Sequence, residues 1–462
     1  MDSGGIPESV SEQKNGQRPT RYRWVILLLL FPLYLMDHAD RANIGVCLPF
    51  ISKEFGLNHA QAGALASMFF LGFAITQVPA GLIMYKVGGR LVTALSTVLF
   101  SVFTFLIGTA PGAGLMRLYR FGLGFFEGPA YIGGAGLLKT WFPHKEQATA
   151  MGIFMCAAAL PGIWVPPVGI AIIAHWGWRW VFYLFAIPGL ITATLWYIFA
   201  CNTPEESRYC NAKELQYIRQ SSPVMQLKKN PEVKSMGWFD AFIRVRRGVV
   251  PLSSPIQVFA SWYIWGDCLI FFLINFSMYG MMAWLPTYLL KERGMSLMNM
   301  GLFAAISGFG NFLGFLGGGW ASDRIWGGRR KPMMFFAAIA LAVTMYCLAN
   351  VPNSQAILGV LLFFSGMLGS SAMSVYTSYP MGLTTSKAYP TAVGVVVTGG
   401  ALGGFFSPVL AGMLLDHFKY FSIVFGFFGL TALMTFVVAL TLVEPLETAS
   451  SEPVSSAAGL VQ

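Results

Sequence analysis

The chain has 462 residues, of which 55% are hydrophobic, 15% aromatic and only 11% charged, with mean hydropathy +0.61. A soluble domain carries about 25% charged residues, so this pool cannot cover a water-facing surface; soluble enzymes and nucleic-acid-binding modules are excluded. The formal net charge of +10 therefore needs an origin other than nucleic acid.

Residues 1–20 are polar and contain no apolar core of a cleaved leader, which reads as a cytoplasmic tail. Apolar runs long enough to span about 30 Å of hydrocarbon follow near 24–50, 60–84, 91–110, 114–138, 147–173 and 180–201. A polar stretch, 202–255, interrupts them. The runs resume near 265–290, 299–320, 333–350, 355–380, 390–413 and 420–442. The expected fold is an all-α membrane protein with twelve transmembrane helices in two six-helix halves, 21–201 and 256–443, joined by a cytoplasmic linker and ending in a tail at 444–462. Pro161, Pro166 and Pro167 crowd the fifth run and should kink it.

Charge sets the orientation. The amino-terminal tail, the linker and the connections on the same side hold 22 cationic residues, against six on the other side. That excess places both termini in the cytoplasm, with the lipid bilayer as the solvent between. The halves also repeat: Gly81–Arg90 follows the second run and Gly318–Arg330 the eighth, each a glycine-led basic turn. Duplicated halves related by pseudosymmetry place a solute site between them near the midplane.

The six cysteines are scattered, with no CxxC or Cys/His cluster, so neither a metal nor another cofactor is expected. No nucleophile–base set appears in any span, which argues against an enzyme. The informative residues are charges inside apolar runs, each costly unless paired or hydrated. The first run holds Asp37, His38, Asp40 and Arg41; the fourth holds Arg120 and Glu127. Seven positions separate Arg120 from Glu127, so both leave one helix face about 10.5 Å apart. Asp37 is offset by about 300° from Asp40 and reads as facing elsewhere. A carboxylate beside an arginine can exchange a proton for an anion: once protonated, the acid releases the guanidinium. His38 could titrate near neutral pH or simply line the path as a polar group, and is a candidate for binding substrate. In the other half Asn275, Tyr279, Asn311 and Tyr376 are neutral groups able to bind an anion's oxygens.

At the two repeated loops the chain resembles the major facilitator superfamily, whose signature is GxxxDRxGxR. The second copy fits with Gly319, Asp323, Arg324, Gly327 and Arg329. The first keeps Gly81 and Arg90 but has Tyr85 and Lys86 where the signature has Asp and Arg. Further motifs narrow the likeness. These are Asp40-Arg41-Ala42-Asn43, Gln77-Val78-Pro79-Ala80-Gly81, the Arg120–Ala130 segment with Glu127, Trp141-Phe142-Pro143 with Glu146, and Trp284–Leu289. Together they resemble the anion:cation symporter family of sugar-acid, phthalate and tartrate permeases and sialin-like carriers, over about residues 21–443.

The resemblance implies a monomeric carrier of the bacterial inner membrane that imports a small organic carboxylate anion with protons by alternating access. Asp40 and Glu127 would be protonation sites, Arg41 and Arg120 would handle substrate, and Tyr376 would be the family's aromatic. Gly81, Arg90, Gly319, Asp323 and Arg324 would serve gating. Uniport or exchange without proton coupling is the alternative. Sugar-acid members tend to carry Tyr, Gln and Asn where this chain has Phe73, Ala159 and Val397. Fewer donors would leave polyol hydroxyls unsatisfied, which favours a lightly hydroxylated anion over a hexonate or hexuronate.

Overall fold

The computed structural model describes residues 19–220, 238–247, 250–326, 329–385 and 388–446. Of the expected tails at 1–20 and 444–462, residues 1–18 and 447–462 lie outside the described residues, as do Gly327 and the side chains of Tyr85, Lys86 and Asp323.

In hydrocarbon a backbone must satisfy its own hydrogen bonds, and apolar runs of this length do so as helices. The first half comprises α1 (Tyr22–Phe55), α2 (His59–Val87), α3 (Gly89–Thr109), α4 (Ala113–Trp141), α5 (His144–Ala159), α6 (Pro161–Trp176) and α7 (Trp178–Phe199). The fifth run is divided between α5 and α6: the break falls at Leu160, and Pro161 opens α6 where its missing N–H costs nothing. Linker helices α8 (Ala212–Gln220), α9 (Trp238–Phe242) and α10 (Pro255–Ala260) follow. The second half comprises α11 (Trp262–Lys291), α12 (Leu297–Arg324), α13 (Lys331–Ala349), α14 (Gln355–Ser371), α15 (Met373–Ser378), α16 (Tyr389–Phe418) and α17 (Phe421–Thr441).

Among the described residues, ten segments are long and apolar enough to cross a membrane. Helices α1 and α4, 34 and 29 residues long, carry the buried charges, and with them the arrangement is that of a twelve-helix bundle. Packing repeats between the halves. Helix α2 packs on α4 as α12 packs on α14, and α3 packs on α7 as α13 packs on α17.

The linker holds each half by its own segment. Glu214 of α8 accepts from Thr20 Oγ1 at 2.7 Å, Tyr22 N at 3.0 Å and Arg23 Nη1 at 3.0 Å. Arg23 Nε also reaches Glu146 at 2.9 Å, which ties the starts of α1 and α5. On the other half, strand β1 (Val245–Arg247) pairs in parallel with β2 (Glu444–Leu446). Buried Glu444 accepts from the Arg330 and Lys331 N–H groups at 2.9 and 2.6 Å. Burial raises its carboxyl above the usual range, and those donors oppose the shift.

The halves meet through glycines, from the middle of the bundle to the end that carries the connections at 56–58 and 419–420. Gly45 of α1 lies against the Met282 carbonyl of α11, Gly63 of α2 against the Pro408 carbonyl of α16, and Gly308 of α12 against the Gly162 backbone of α6. Small residues let helices approach backbone to backbone, where dispersion contacts are densest. Asp416 of α16 crosses to α2 and accepts from His59 N at 3.0 Å, Ala60 N at 2.8 Å and His59 Nδ1 at 2.8 Å. Because a Cβ at position 308 would overlap the Gly162 backbone midway along both spans, Gly308→Val should hold the halves apart. The expected result is a several-fold lower yield of crosslink between His59→Cys and Asp416→Cys in the Gly308→Val background.

Candidate functional site

The intramembrane charges converge on one buried cluster between α1 and α4. Asp37, Asp40, Arg41, Arg120 and Glu127 are all buried, although the chain supplies few polar residues to screen them. Each is held by a different kind of partner.

Arg41 sits between two acids. Its Nε donates to Glu127 Oε1 at 2.5 Å and its Nη2 to Asp37 Oδ2 at 3.1 Å. The guanidinium plane lies over Phe73 at 4.6 Å and Phe69 at 5.4 Å, where the ring faces stabilise a cation. Arg120, by contrast, donates to backbone carbonyls: Nη1 to Asp40 O at 3.2 Å and Nη2 to Ala66 O at 3.3 Å. Its Cζ lies 5.2 Å from the Phe69 ring centre, so one ring contacts both guanidiniums. Among the described residues no carboxylate lies within ion-pair distance of Arg120, and its Nε has no acceptor. Asp40 is held by neutral donors, Asn43 Nδ2 at 3.0 Å and Thr104 Oγ1 at 2.6 Å.

The helix wheel groups Glu127 with Arg120, and both do point into the cluster, but Glu127 bonds Arg41 instead. Asp37 is drawn in as well. Its offset from Asp40 hides that it stands four residues before Arg41, and four is the spacing at which side chains on a helix meet. His38 packs edge-on against Tyr34 at 4.4 Å and brings Nδ1 within 2.9 Å of Asp37 Oδ2.

The second half contributes unevenly. Tyr279 packs on Phe70 of α2 at 4.3 Å and lies within electrostatic range of Arg41, so it bridges the halves beside the cluster. Asn275 spends its amide on the Phe271 carbonyl of its own helix at 2.8 Å. Asn311 keeps a buried Oδ1 without a donor among the described residues. Tyr376 is buried against Phe271 at 6.1 Å, its hydroxyl likewise unpartnered. One turn before Phe271 stands Asp267, buried with both oxygens unpartnered among the described residues. Sequence reasoning passed over it, although a lone acid in the apolar run WYIWGDCLIFF was a readable signal.

The residues expected to serve gating fall outside this cluster. Arg90 donates through Nε and Nη2 to the Tyr197 carbonyl and stacks on that ring at 5.0 Å. Gly81 lies in the last turns of α2, Gly319 faces Ser374 of α15, and Arg324 is exposed at the end of α12. The Asp323 side chain lies outside the described residues.

A duplicated helical bundle with a buried ion cluster at the junction of its halves defines a multi-pass membrane transporter. The sequence matches the Major Facilitator Superfamily over residues 30–384 and 312–459, and the chain belongs to that superfamily. It is 27% identical over 448 residues to the Probable galactarate/D-glucarate transporter GarP of Escherichia coli (strain K12), covering 94% of this chain and 96% of that one. It is 28% identical over 418 residues to the Probable sulfoacetate transporter SauU of Cupriavidus necator, covering 88% and 90%. Among solved structures, a D-xylose-proton symporter shares the fold with TM-score 0.69 at 18% identity, covering 92% of this chain and 98% of that one.

Proposed function

We propose that this transporter imports a small organic carboxylate anion together with protons, in the bacterial inner membrane and with both termini in the cytoplasm. The observation that carries the reading is the contrast between the two arginines. Arg41 is occupied by Glu127 and Asp37, whereas buried Arg120 is held by carbonyls and has no carboxylate among the described residues. A guanidinium with no carboxylate in ion-pair contact attracts an anion in low dielectric, and its planar fork fits a carboxylate. Protonating Glu127 or Asp40 reduces the negative charge beside it, so anion and proton bind more tightly together than apart. With this orientation, Gly63 against Pro408 and the Asp416–His59 pair hold the halves together at the outer end. The protein acts as a monomer, the cluster being complete within one chain.

Uptake of candidate anions into proteoliposomes with and without an inward proton gradient tests the reading. Accumulation against a concentration gradient is expected only when the gradient is imposed. Facilitated equilibration that ignores the gradient would make this a uniporter or an exchanger.

The neutral wall bears on substrate class. Phe73 presents a ring to Arg41 and no hydroxyl, and Ala159 and Val397 replace two further hydrogen-bonding groups of the resembling sugar-acid carriers. Each buried hydroxyl left unsatisfied costs about 1–3 kcal/mol, so a lightly hydroxylated aliphatic or aromatic carboxylate is favoured. The second reading is a sugar-acid symporter, favoured by what GarP is named for. Competition decides between them. Benzoate-like or short aliphatic acids should outcompete a hexonate by about tenfold or more; the reverse order selects the sugar-acid reading.

A further inference from the structure

Of the cluster's six ionisable residues, Asp37, Asp40, Arg120 and Glu127 expose 2% or less of their surface, and a proton has to enter somewhere. Side-chain exposure falls along a short path: His38 retains 17%, Asp37 only 1% and Glu127 none, with Arg41 at 8% a permanent cation that cannot relay. His38 Nδ1 stands 2.9 Å from Asp37 Oδ2, although the ring is not aligned for a linear hydrogen bond in this conformation. Asp37 Oδ2 is also the atom that receives Arg41 Nη2 at 3.1 Å. One carboxylate oxygen thus touches both the group nearest accessible space and the arginine that faces Glu127.

We propose that His38 and Asp37 form the proton entry of the cluster, and that protonation of Asp37 releases the Nη2 side of Arg41 for an anion. The proposal rests on the proton-coupled reading given above. An arriving proton binds His38 Nε2, and the Nδ1 proton passes to Asp37 Oδ2. This leaves a neutral Nε2–H imidazole and a neutral carboxyl. Rotation of the ring together with exchange of its tautomer resets the relay, so one proton enters for each one delivered. The facing groups are compatible. Tyr34, Asp40 and Arg41 share α1 with the pair, α4 brings Glu127, and α11 brings Tyr279. The described charged residues of α5, α6 and α7, Glu146, His175 and Arg179, sit at their helix ends. A histidine is suited to this position because it accepts on one nitrogen while donating from the other.

The test is time-resolved infrared spectroscopy of the full chain in lipid nanodiscs after a rapid drop in pH, following the carbonyl stretch of protonated buried carboxyls. Asp37→Asn assigns the Asp37 band by its loss. His38→Gln should slow the rise of that band about tenfold or more, and millimolar imidazole should restore the rate. His38→Asn replaces it should the first variant fail to fold. An unchanged rate in either histidine variant, or a slowed rate that imidazole does not restore, overturns the relay. If the wild-type protein shows no pH-dependent carboxyl band, the proton-coupled reading itself falls. If the wild-type bands respond and the histidine variants keep pace, only the relay falls.

Discussion

Glu127→Gln should abolish proton-driven accumulation while leaving counterflow exchange of the same anion. The amide keeps the shape of the protonated acid and can still accept from Arg41 Nε, so the cluster stays packed; what disappears is the charge that alternates. A gradient of two pH units is worth about 2.7 kcal/mol for each coupled proton, enough for about 100-fold accumulation. The variant should instead stop at equal concentrations on the two sides. Measuring internal against external anion under that gradient, with exchange as the control for folding, separates loss of coupling from loss of binding. Undiminished accumulation would reduce Glu127 to a strut between α1 and α4.

Arg120→Lys should cost still more in affinity. The guanidinium spans two carbonyls on different helices, Asp40 O and Ala66 O, while leaving Nε and one plane edge for a ligand. A lysine ammonium is a point donor that cannot hold both carbonyls and also present a parallel pair of N–H groups. Losing two charge-assisted bonds should weaken anion binding by about 2–4 kcal/mol, about 30- to 700-fold. Isothermal titration with the best competitor from the uptake panel reads this directly. An affinity within about threefold of wild type would mean that Arg120 serves only to staple α1 to α2.

The bundle was legible in the sequence because hydrocarbon leaves the backbone few options: long apolar runs, a charge-rich interruption and one-sided cations point to the same architecture. The membership of the ion cluster was legible too, since Asp40, Arg41, Arg120 and Glu127 stand out in apolar surroundings. Their pairing was not. A helix wheel says which residues share a face, but not which neighbouring helix brings the partner; Glu127 therefore meets Arg41 rather than Arg120. Asp37 escaped because its angle was compared with Asp40, when its consequence lies four residues on, at Arg41. Asp267 escaped because no second charge stands near it in its apolar run to suggest a pair. Contacts between the halves, such as Asp416 with α2, join residues more than 350 positions apart, and no local pattern announces them.

That last contact has a kinetic consequence. A helix begins with N–H groups that have no partner within the helix, and α2 divides the task of satisfying them. Asn58 and Gln61 cap each other within the helix, the Asn58 side chain accepting from Gln61 N at 2.8 Å and Gln61 Oε1 accepting from Asn58 N at 3.2 Å. The two donors between them, His59 N and Ala60 N, are left to a carboxylate of the opposite half. When the halves separate at this end, α2 keeps its own cap and does not fray, while Asp416 and the two freed N–H groups exchange each other for water. On the alternating-access reading proposed above, this end can open repeatedly at the cost of a solvent exchange rather than of unwinding a helix, and the α2 that re-forms the contact is the one that left it.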